Sequence, residues 1–350
     1  MRVLVTGAFG YVGRAVTLRL LEAGHEVVAL TRRRRQDATA GFDADGLYVV
    51  EADVRDHDRL RVAVDGIGGI GGIGGVCHLA ALTRVRESFE QPDEYHAVNV
   101  GGTAALLESL TSARGGDSRP IAFVQASTAA IYGAPEAQPI AEDAVPAPTS
   151  PYGSSKLAAE QAVRDAVLDH AAEPNPAPSH RTARAIGAIN LRVFNAAGSV
   201  AGFGDPDESR IIPRTLLAAA GLRPPLALNG DGSAVRDFVH VDDVARAYVL
   251  ALGHSRAGEF RTYNVGATGA SVREIIAAVE SVTGRRVPIE PRPPQPEPPM
   301  LLADTARIRD ELGWKPERSS LEEMVADTWT VLLRTALLNT VLLHTTLPKP

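Results

Sequence analysis

A short strand-like run, Arg2-Val3-Leu4-Val5-Thr6, leads directly into Gly7-Ala8-Phe9-Gly10-Tyr11-Val12-Gly13. An amphipathic segment follows to about Ala23, and Gly24 supplies a helix stop. Strand, glycine-rich turn and helix in that order leave few folds open. The first glycines let the backbone turn tightly and approach a ligand closely. The helix start then offers N–H groups and the positive end of its dipole to an anion. With G-x-x-G-x-x-G spacing directly after a strand, the expected anion is the pyrophosphate of a dinucleotide.

The chain continues in the rhythm this start requires. Strand-like runs recur at His25–Leu30, Val49–Val54, Val76–Ala81, Ile121–Ala126 and Ile186–Phe194, with helical segments between several of them. Among these, Tyr95–Leu110 is expected as a helix with Asn99 near its start, and a further helix follows Tyr152. Such alternation predicts an α/β fold, a Rossmann-type doubly wound parallel sheet covered by helices on both faces. Gly66–Gly75, a tandem glycine–isoleucine repeat, reads as an expanded surface loop, as does the proline-rich Glu173–Pro178. After Asn195 the rhythm breaks into short strands, turns and helices. The expected organisation is an NAD(P)-binding domain over 1–195, its sheet completed from about 235–265. A smaller C-terminal α/β lobe over 196–330 would close over the strand ends, and a helix or tail follows over 331–350.

Composition removes several classes of function. Among 350 residues, 45% are apolar and 22% charged, which suits a packed globular core. A net charge of −6 argues against a nucleic-acid partner. The single cysteine, Cys77, excludes an internal disulfide and a cysteine metal cluster, and no metal site is expected. Val331–Leu347 is leucine-rich but broken by Arg334, Asn339 and His344, so it reads as a packed helix and not a membrane span. No signal-peptide pattern is seen, and the cytoplasm is the expected location.

Two groups of residues carry chemistry. Tyr152 and Lys156 stand four apart at the start of a helical segment, on one face and one turn apart. A neighbouring ammonium favours a phenolate, which makes the tyrosine a usable base. Thr128, at the end of the fifth strand, can hydrogen-bond the same substrate oxygen. Together they suit proton transfer at a sugar or alcohol hydroxyl. The second group is at the end of the second strand, where such folds choose between NAD and NADP. An acid there would bind ribose hydroxyls, but the chain has Thr31 followed by Arg32-Arg33-Arg34-Arg35. That leans toward a 2′-phosphate and leaves both cofactors open. Asp53, ending the third strand, can reach the adenine edge.

With GAFGYVG, HLAA, NVGGT, STAAIYG, SPYGSSK, LRVFN, VRDFVHVDD, YNVG and ELGW in this order, the chain resembles the extended short-chain dehydrogenase/reductase family over about residues 1–330. Within it the chain is most similar to the nucleotide-sugar 4-epimerases, of the UDP-glucose 4-epimerase kind. The resemblance implies tightly bound NAD+, transient oxidation at the sugar C4 with Tyr152 as base, Lys156 on the nicotinamide ribose and Thr128 on the C4 oxygen. It implies a cofactor lining of Gly7, Phe9, Gly10, Tyr11, Val12, Gly13, Asp53, Val54, Leu79, Ala80, Ala81 and Asn99, to which the reading of the second strand's end adds Thr31 and Arg32. Asn195, Arg210, Arg236 and Arg292 would hold a UDP- or other NDP-sugar. A homodimer built through the Tyr95–Leu110 and Tyr152–Asp169 helices is implied as well.

The resemblance also separates neighbouring reactions. Sugar 4,6-dehydratases carry an acidic pair directly after the threonine, where this chain has Ala129 and Ala130. Other positions depart from the epimerase pattern. Thr83 replaces a lysine near the cofactor, Leu301 replaces a bulky aromatic, and Pro291–Glu297 replaces an arginine-rich segment over the diphosphate. The alternative reading is an NADPH-dependent reductase of an NDP-4-keto-sugar, which Thr31 and the arginine run favour.

Overall fold

The computed structural model describes residues 1–32, 42, 45–65, 72–111, 119–172 and 184–345. Arg33–Arg35, residues 66–71 of the glycine repeat and the proline-rich 173–178 lie outside them. In chain order the first elements are β1 (Arg2–Thr6), α1 (Tyr11–Glu22), β2 (Glu26–Thr31), β3 (Leu47–Glu51), α2 (His57–Asp65) and β4 (Gly75–His78). Next come α3 (Val85–Glu90), α4 (Pro92–His96), α5 (Gly102–Thr111), β5 (Ile121–Thr128), α6 (Pro151–Ala172) and β6 (Ile186–Val193). The later part holds β7 (Asn195–Ala197), β8 (Ser199–Val200), β9 (Phe203–Gly204), α7 (Ile211–Ala219), β10 (Leu226–Asn229), β11 (Val235–His240) and α8 (Val241–His254). It ends with β12 (Phe260–Val265), β13 (Thr268–Ser271), α9 (Val272–Thr283), β14 (Ile289–Arg292), β15 (Met300–Leu301), α10 (Ala306–Leu312) and α11 (Leu321–Thr345).

These elements form two compact units. The first comprises Met1–Phe194, Val244–Val265 and Ala303–Lys315, and the second Asn195–Asp243, Gly266–Leu302 and Pro316–Pro350. The first unit's leading segment stops beside the expected boundary at 195, but the chain then returns to that unit twice. Its seven strands are all parallel, in the order β12-β6-β5-β4-β1-β2-β3. Every residue of β1 is buried, as a strand covered on both faces requires. Leu4, Val76 and Phe123 pack under α5 and α6 with Leu106, Leu110, Val163 and Val167. On the other face α8 closes in, where a Cβ on Gly75 would meet Leu252 at 3.0 Å. Strand order reverses between β1 and β4, and this is where ligands bind in open sheets, beyond the carboxyl ends.

Two expectations change in detail. The helix expected over Tyr95–Leu110 is helical throughout but not all α: α4 runs through a π-turn at Ala97–Gly101, which contains Asn99, into α5. Of the stretch expected to complete the sheet, β12 does so, whereas β11 belongs to the second unit. There β11 pairs with β13, β15 and β7, while β10 and β14 form a separate parallel pair. Ser271 starts α9 with a capping box: its hydroxyl accepts from Glu274 N–H, and the Glu274 carboxylate accepts from Ser271 N–H. Among the described residues no helix is long and apolar enough to cross a membrane, and no cluster of His, Cys, Asp or Glu could hold a metal ion.

Two glycines with opposite surroundings test this packing. On Gly187 of β6 a Cβ would sit 2.1 Å from Arg256 O, whereas on Gly253 of α8 it would meet nothing within 4 Å. Gly187→Ala is expected to cost about 3 kcal/mol, because backbone must move. Gly253→Ala should add up to about 1 kcal/mol by raising helix propensity. Chemical denaturation of the two variants checks both signs.

Candidate active site

The glycine turn after β1 is built by close approach. Gly7 has φ +69°, in the left-handed region, and a Cβ there would lie 2.9 Å from Ala80 N. On Gly13 a Cβ would lie 2.0 Å from Gly7 O, so the first turn of α1 rests on the loop itself. Gly10 precedes α1 in extended conformation, and no side chain caps the helix. This is a backbone cradle at a helix N-terminus, and it fits the pyrophosphate of a dinucleotide. Phe9 packs edge-on against Phe42 at 5.8 Å, and Tyr11 and Val12 open α1.

A buried hydroxyl joins the two halves of this cradle. Thr6 Oγ1 accepts from Leu79 N and Ala80 N, both at 3.1 Å, so its own proton goes to His78 Nδ1 at 2.8 Å. Thr103 donates to Asn99 O at 2.6 Å, so its oxygen accepts from His78 Nε2 at 2.9 Å. These directions make His78 the neutral Nε2–H tautomer. Burial, aided by the Lys156 charge, pushes its pKa down to about 3. His78 is therefore a satisfied strand histidine that orients the Thr6 hydroxyl, which in turn holds the backbone at Leu79 and Ala80.

Asn99 has a similar positioning task. Its carbonyl accepts from Leu82 N at 2.8 Å, and its amide donates to Leu82 O at 3.0 Å and Ser155 Oγ at 2.9 Å. The expected cofactor contact at Asn99 therefore comes from a side chain already committed to the loop and to α6. At the ends of β2 and β3, Thr31 O accepts from Ala52 N at 2.9 Å, and Arg32 acts on Asp53 through its charge. Asp53 is gripped by Arg55 through Nε at 2.9 Å and Nη2 at 3.0 Å, which is the main reason its carboxyl stays below the usual range. Val54 packs under the first residue of α5, where a Cβ on Gly102 would meet it at 2.6 Å.

The reacting side chains come from β5 and α6. Ser150 Oγ accepts from Gly153 N at 3.1 Å and Pro151 opens the helix, a start that suits both residues. Gly153 lets that first turn press on the turn after β5: a Cβ there would lie 2.7 Å from Ala130 O. Thr128 accepts from Ala130 N at 3.2 Å, which orients its hydroxyl and leaves the proton to donate. Tyr152 is 8% exposed and meets the Tyr95 ring edge-on at 6.4 Å. Lys156, one turn on, is 4% exposed, and burial pulls its pKa down to about 8 against the pull of the Glu160 carboxylate. Thr128, Tyr152 and Lys156 thus belong to two segments whose backbones touch.

Sequence reasoning missed the layer beneath them. Arg192 of β6 grips Glu160 through Nε–Oε1 at 3.1 Å and Nη2–Oε2 at 2.7 Å, and both residues are buried. An arginine within an apolar strand is a signal of its own, since it needs a partner. The residues expected to hold the nucleoside diphosphate lie in the second unit. Asn195 of β7 donates to Asp237 O at 2.7 Å, and Arg236 of β11 pairs with Glu297 at 2.6 Å. Leu301 is Arg236's neighbour across the sheet. Arg210 precedes α7 and pairs with Asp205 at 3.1 Å, while Arg292 is on β14, beside Glu290 at 3.3 Å.

Residues 3–266 match the model of the NAD dependent epimerase/dehydratase family. A UDP-glucose 4-epimerase of Streptomyces lividans is 38% identical over 346 residues, covering 93% of this chain and 94% of that one. The crystal structure of a UDP-glucose 4-epimerase from Stenotrophomonas maltophila, with bound NAD and formylated UDP-arabinopyranose, is 32% identical. It superimposes with a TM-score of 0.84 and covers 97% of this chain and 99% of that one. The Bifidobacterium longum UDP-glucose 4-epimerase in complex with NAD+ and UDP is 28% identical, with a TM-score of 0.81 over 96% of this chain and 99% of that one. With its glycine cradle, Tyr152 and Lys156 in one unit, this chain belongs to the NAD dependent epimerase/dehydratase family.

Proposed function

We propose that this protein is a nucleotide-sugar 4-epimerase of the UDP-glucose/UDP-galactose type, working with retained NAD+. The observation that carries this reading is Thr128, Tyr152 and Lys156 on two touching segments of the unit that bears the dinucleotide cradle. Similarity to UDP-glucose 4-epimerases over nearly the whole chain supports it against the ketosugar reductase. Within the family, the dehydratase branch needs carboxyl groups after Thr128, and Ala129 and Ala130 supply none.

When bound, the nicotinamide supplies a reversible two-electron acceptor, so oxidation and re-reduction of one carbinol carbon leave no net redox change. The chain's own residues handle the proton. Tyr152 takes it from the sugar hydroxyl and later returns it. The Lys156 ammonium favours the phenolate form of Tyr152. Thr128 donates its hydroxyl proton to the sugar oxygen and holds it for transfer. Gly7, Gly10, Gly13 and the Leu79–Ala81 backbone hold the dinucleotide, with Thr31, Arg32 and Asp53 at its adenosine end. Asn195, Arg210, Arg236 and Arg292 are assigned to the nucleoside diphosphate of the sugar. Diphosphate binding to Arg236 exchanges its Glu297 partner, which is half-exposed. A homodimer through α4–α5 and α6 and a cytoplasmic location belong to the same proposal.

The reading is tested on protein as purified. Mass analysis of the dinucleotide released on denaturation should find NAD+. Native protein given UDP-glucose without added cofactor should yield the 4-epimer. An empty site together with NADPH oxidation only on a ketosugar would replace the epimerase with the reductase.

Tyr152→Phe should lower kcat by about 10²-fold or more while the released NAD+ and the thermal melt stay unchanged. Arg32→Ala should weaken titrated NADP+ binding more than NAD+ binding if this side chain reads the 2′ position. Equal effects would make it a solvated loop residue.

A further inference from the structure

Glu160 is one turn beyond Lys156 on α6, so Tyr152, Lys156 and Glu160 follow each other at four-residue steps along one helix face. It is a buried carboxylate, held by two bonds from Arg192 and by a short hydrogen bond donated by Ser127 Oγ. Ser127 immediately precedes Thr128 at the end of β5. Arg192 is fixed in turn, because its Nη1 donates to Tyr132 Oη and to Glu142 O, both at 2.9 Å. Tyr132 Oη passes its proton to Asn264 Oδ1 at 2.7 Å. The carboxylate therefore cannot swing, and it joins the two segments that present the reacting side chains.

Resting on the proposed function, we infer that Glu160 is a positioning residue for proton transfer: it clamps the end of β5 to α6 and holds Lys156 as the ammonium that serves Tyr152. Neutralising Arg192 alone does not call for this spacing or for the bond from Ser127. The surrounding groups leave Glu160 as the source of the favourable field. From β4, His78 is neutral. From α8, the buried Tyr248 phenol stays protonated because burial raises its pKa well above the usual value. Tyr95 of α4 meets Tyr152 edge-on, and burial raises its pKa too. Arg192 of β6 is positive and opposes the Lys156 charge, and the Glu142 carboxyl beside Tyr132 is pushed up by burial. Burial draws Lys156 to about 8, and the Glu160 carboxylate is the group that resists this. The ammonium is present below that pH and lost above it, so removing Glu160 moves the loss to lower pH.

Glu160→Gln tests the inference, since it keeps size and hydrogen-bonding atoms but removes the charge. The basic limb of the kcat profile should move down by about one pH unit, and kcat should fall about tenfold while KM stays within about twofold. The second readout needs no turnover. Tyrosinate absorbance of Tyr152, isolated by difference from matched Tyr152→Phe protein, should appear at higher pH in Glu160→Gln. Because a lone buried Arg192 can unfold the single variant, Glu160→Gln with Arg192→Gln is the companion. It should recover the thermal melt but keep part of both pH shifts, because the opposing Arg192 charge is removed with Glu160.

A wild-type pH profile and tyrosinate titration in Glu160→Gln, or their full recovery in the double variant, would make Glu160 a structural counter-ion only. So would unfolding of both variants. Glu160→Asp, which keeps the charge, should hold the wild-type limb. Absence of epimerisation by the wild-type protein would sink the proposed function alone, because the tyrosinate titration still reads the Glu160 effect.

Discussion

Backbone-to-backbone approach at the carboxyl ends of β1 and β4 is the constraint on which the rest depends. Gly7 and Gly13 have no room for a side chain, and Thr6 spends both lone pairs on the N–H groups of Leu79 and Ala80. The two strands on either side of the order reversal are thereby locked at their ends. A ligand that reaches this point meets main chain already held in place by these bonds, and not mobile side chains. Such a site binds without having to order rotamers first.

Around that fixed point the molecule spends buried polar groups in one direction. His78, Asn99, Ser155, Glu160 and Arg192 all lie between the sheet and its α5–α6 cover, and each hydrogen-bonds to a partner on another segment. Buried polar groups cost stability unless paired, and once fully paired they specify a single arrangement. What they specify here is the placement of α6 against β5, and so of Tyr152 and Lys156 against Thr128. In the second unit the acids of the Val235–Asp243 segment do similar work. Asp237 accepts from Ala267 N at 2.6 Å, and Asp243 accepts from the backbone of Glu317 and Arg318 at 2.9 Å. His240, buried, faces Asp327 at 3.0 Å. This segment, recognised in the sequence as a family signature, is in its charged residues largely a device for holding backbone.

Much of the architecture was legible because its signals are local. Strand, glycine turn and helix follow one another within a few residues, and Ser150-Pro151 ahead of Tyr152 is a helix start in its own right. The same locality explains the misses. A wide π-turn at Ala97–Gly101 leaves no trace in helical periodicity, and the Asn99 it contains bonds to Leu82 and Ser155, distant in the chain. The assignment of β11 and β12 to different sheets depended on pairing partners far away in the chain, which strand propensity does not register.

From its residues alone, then, this chain could be read as a doubly wound sheet with a dinucleotide turn and a tyrosine–lysine pair, because those features are written in spacing. The non-contiguous units, the tautomer of His78 and the seat of Glu160 on Arg192 came with the folded structure. Each depends on groups 25 or more residues apart meeting away from water. There burial decides which charges and hydrogen bonds persist, and spacing along the chain carries no record of burial.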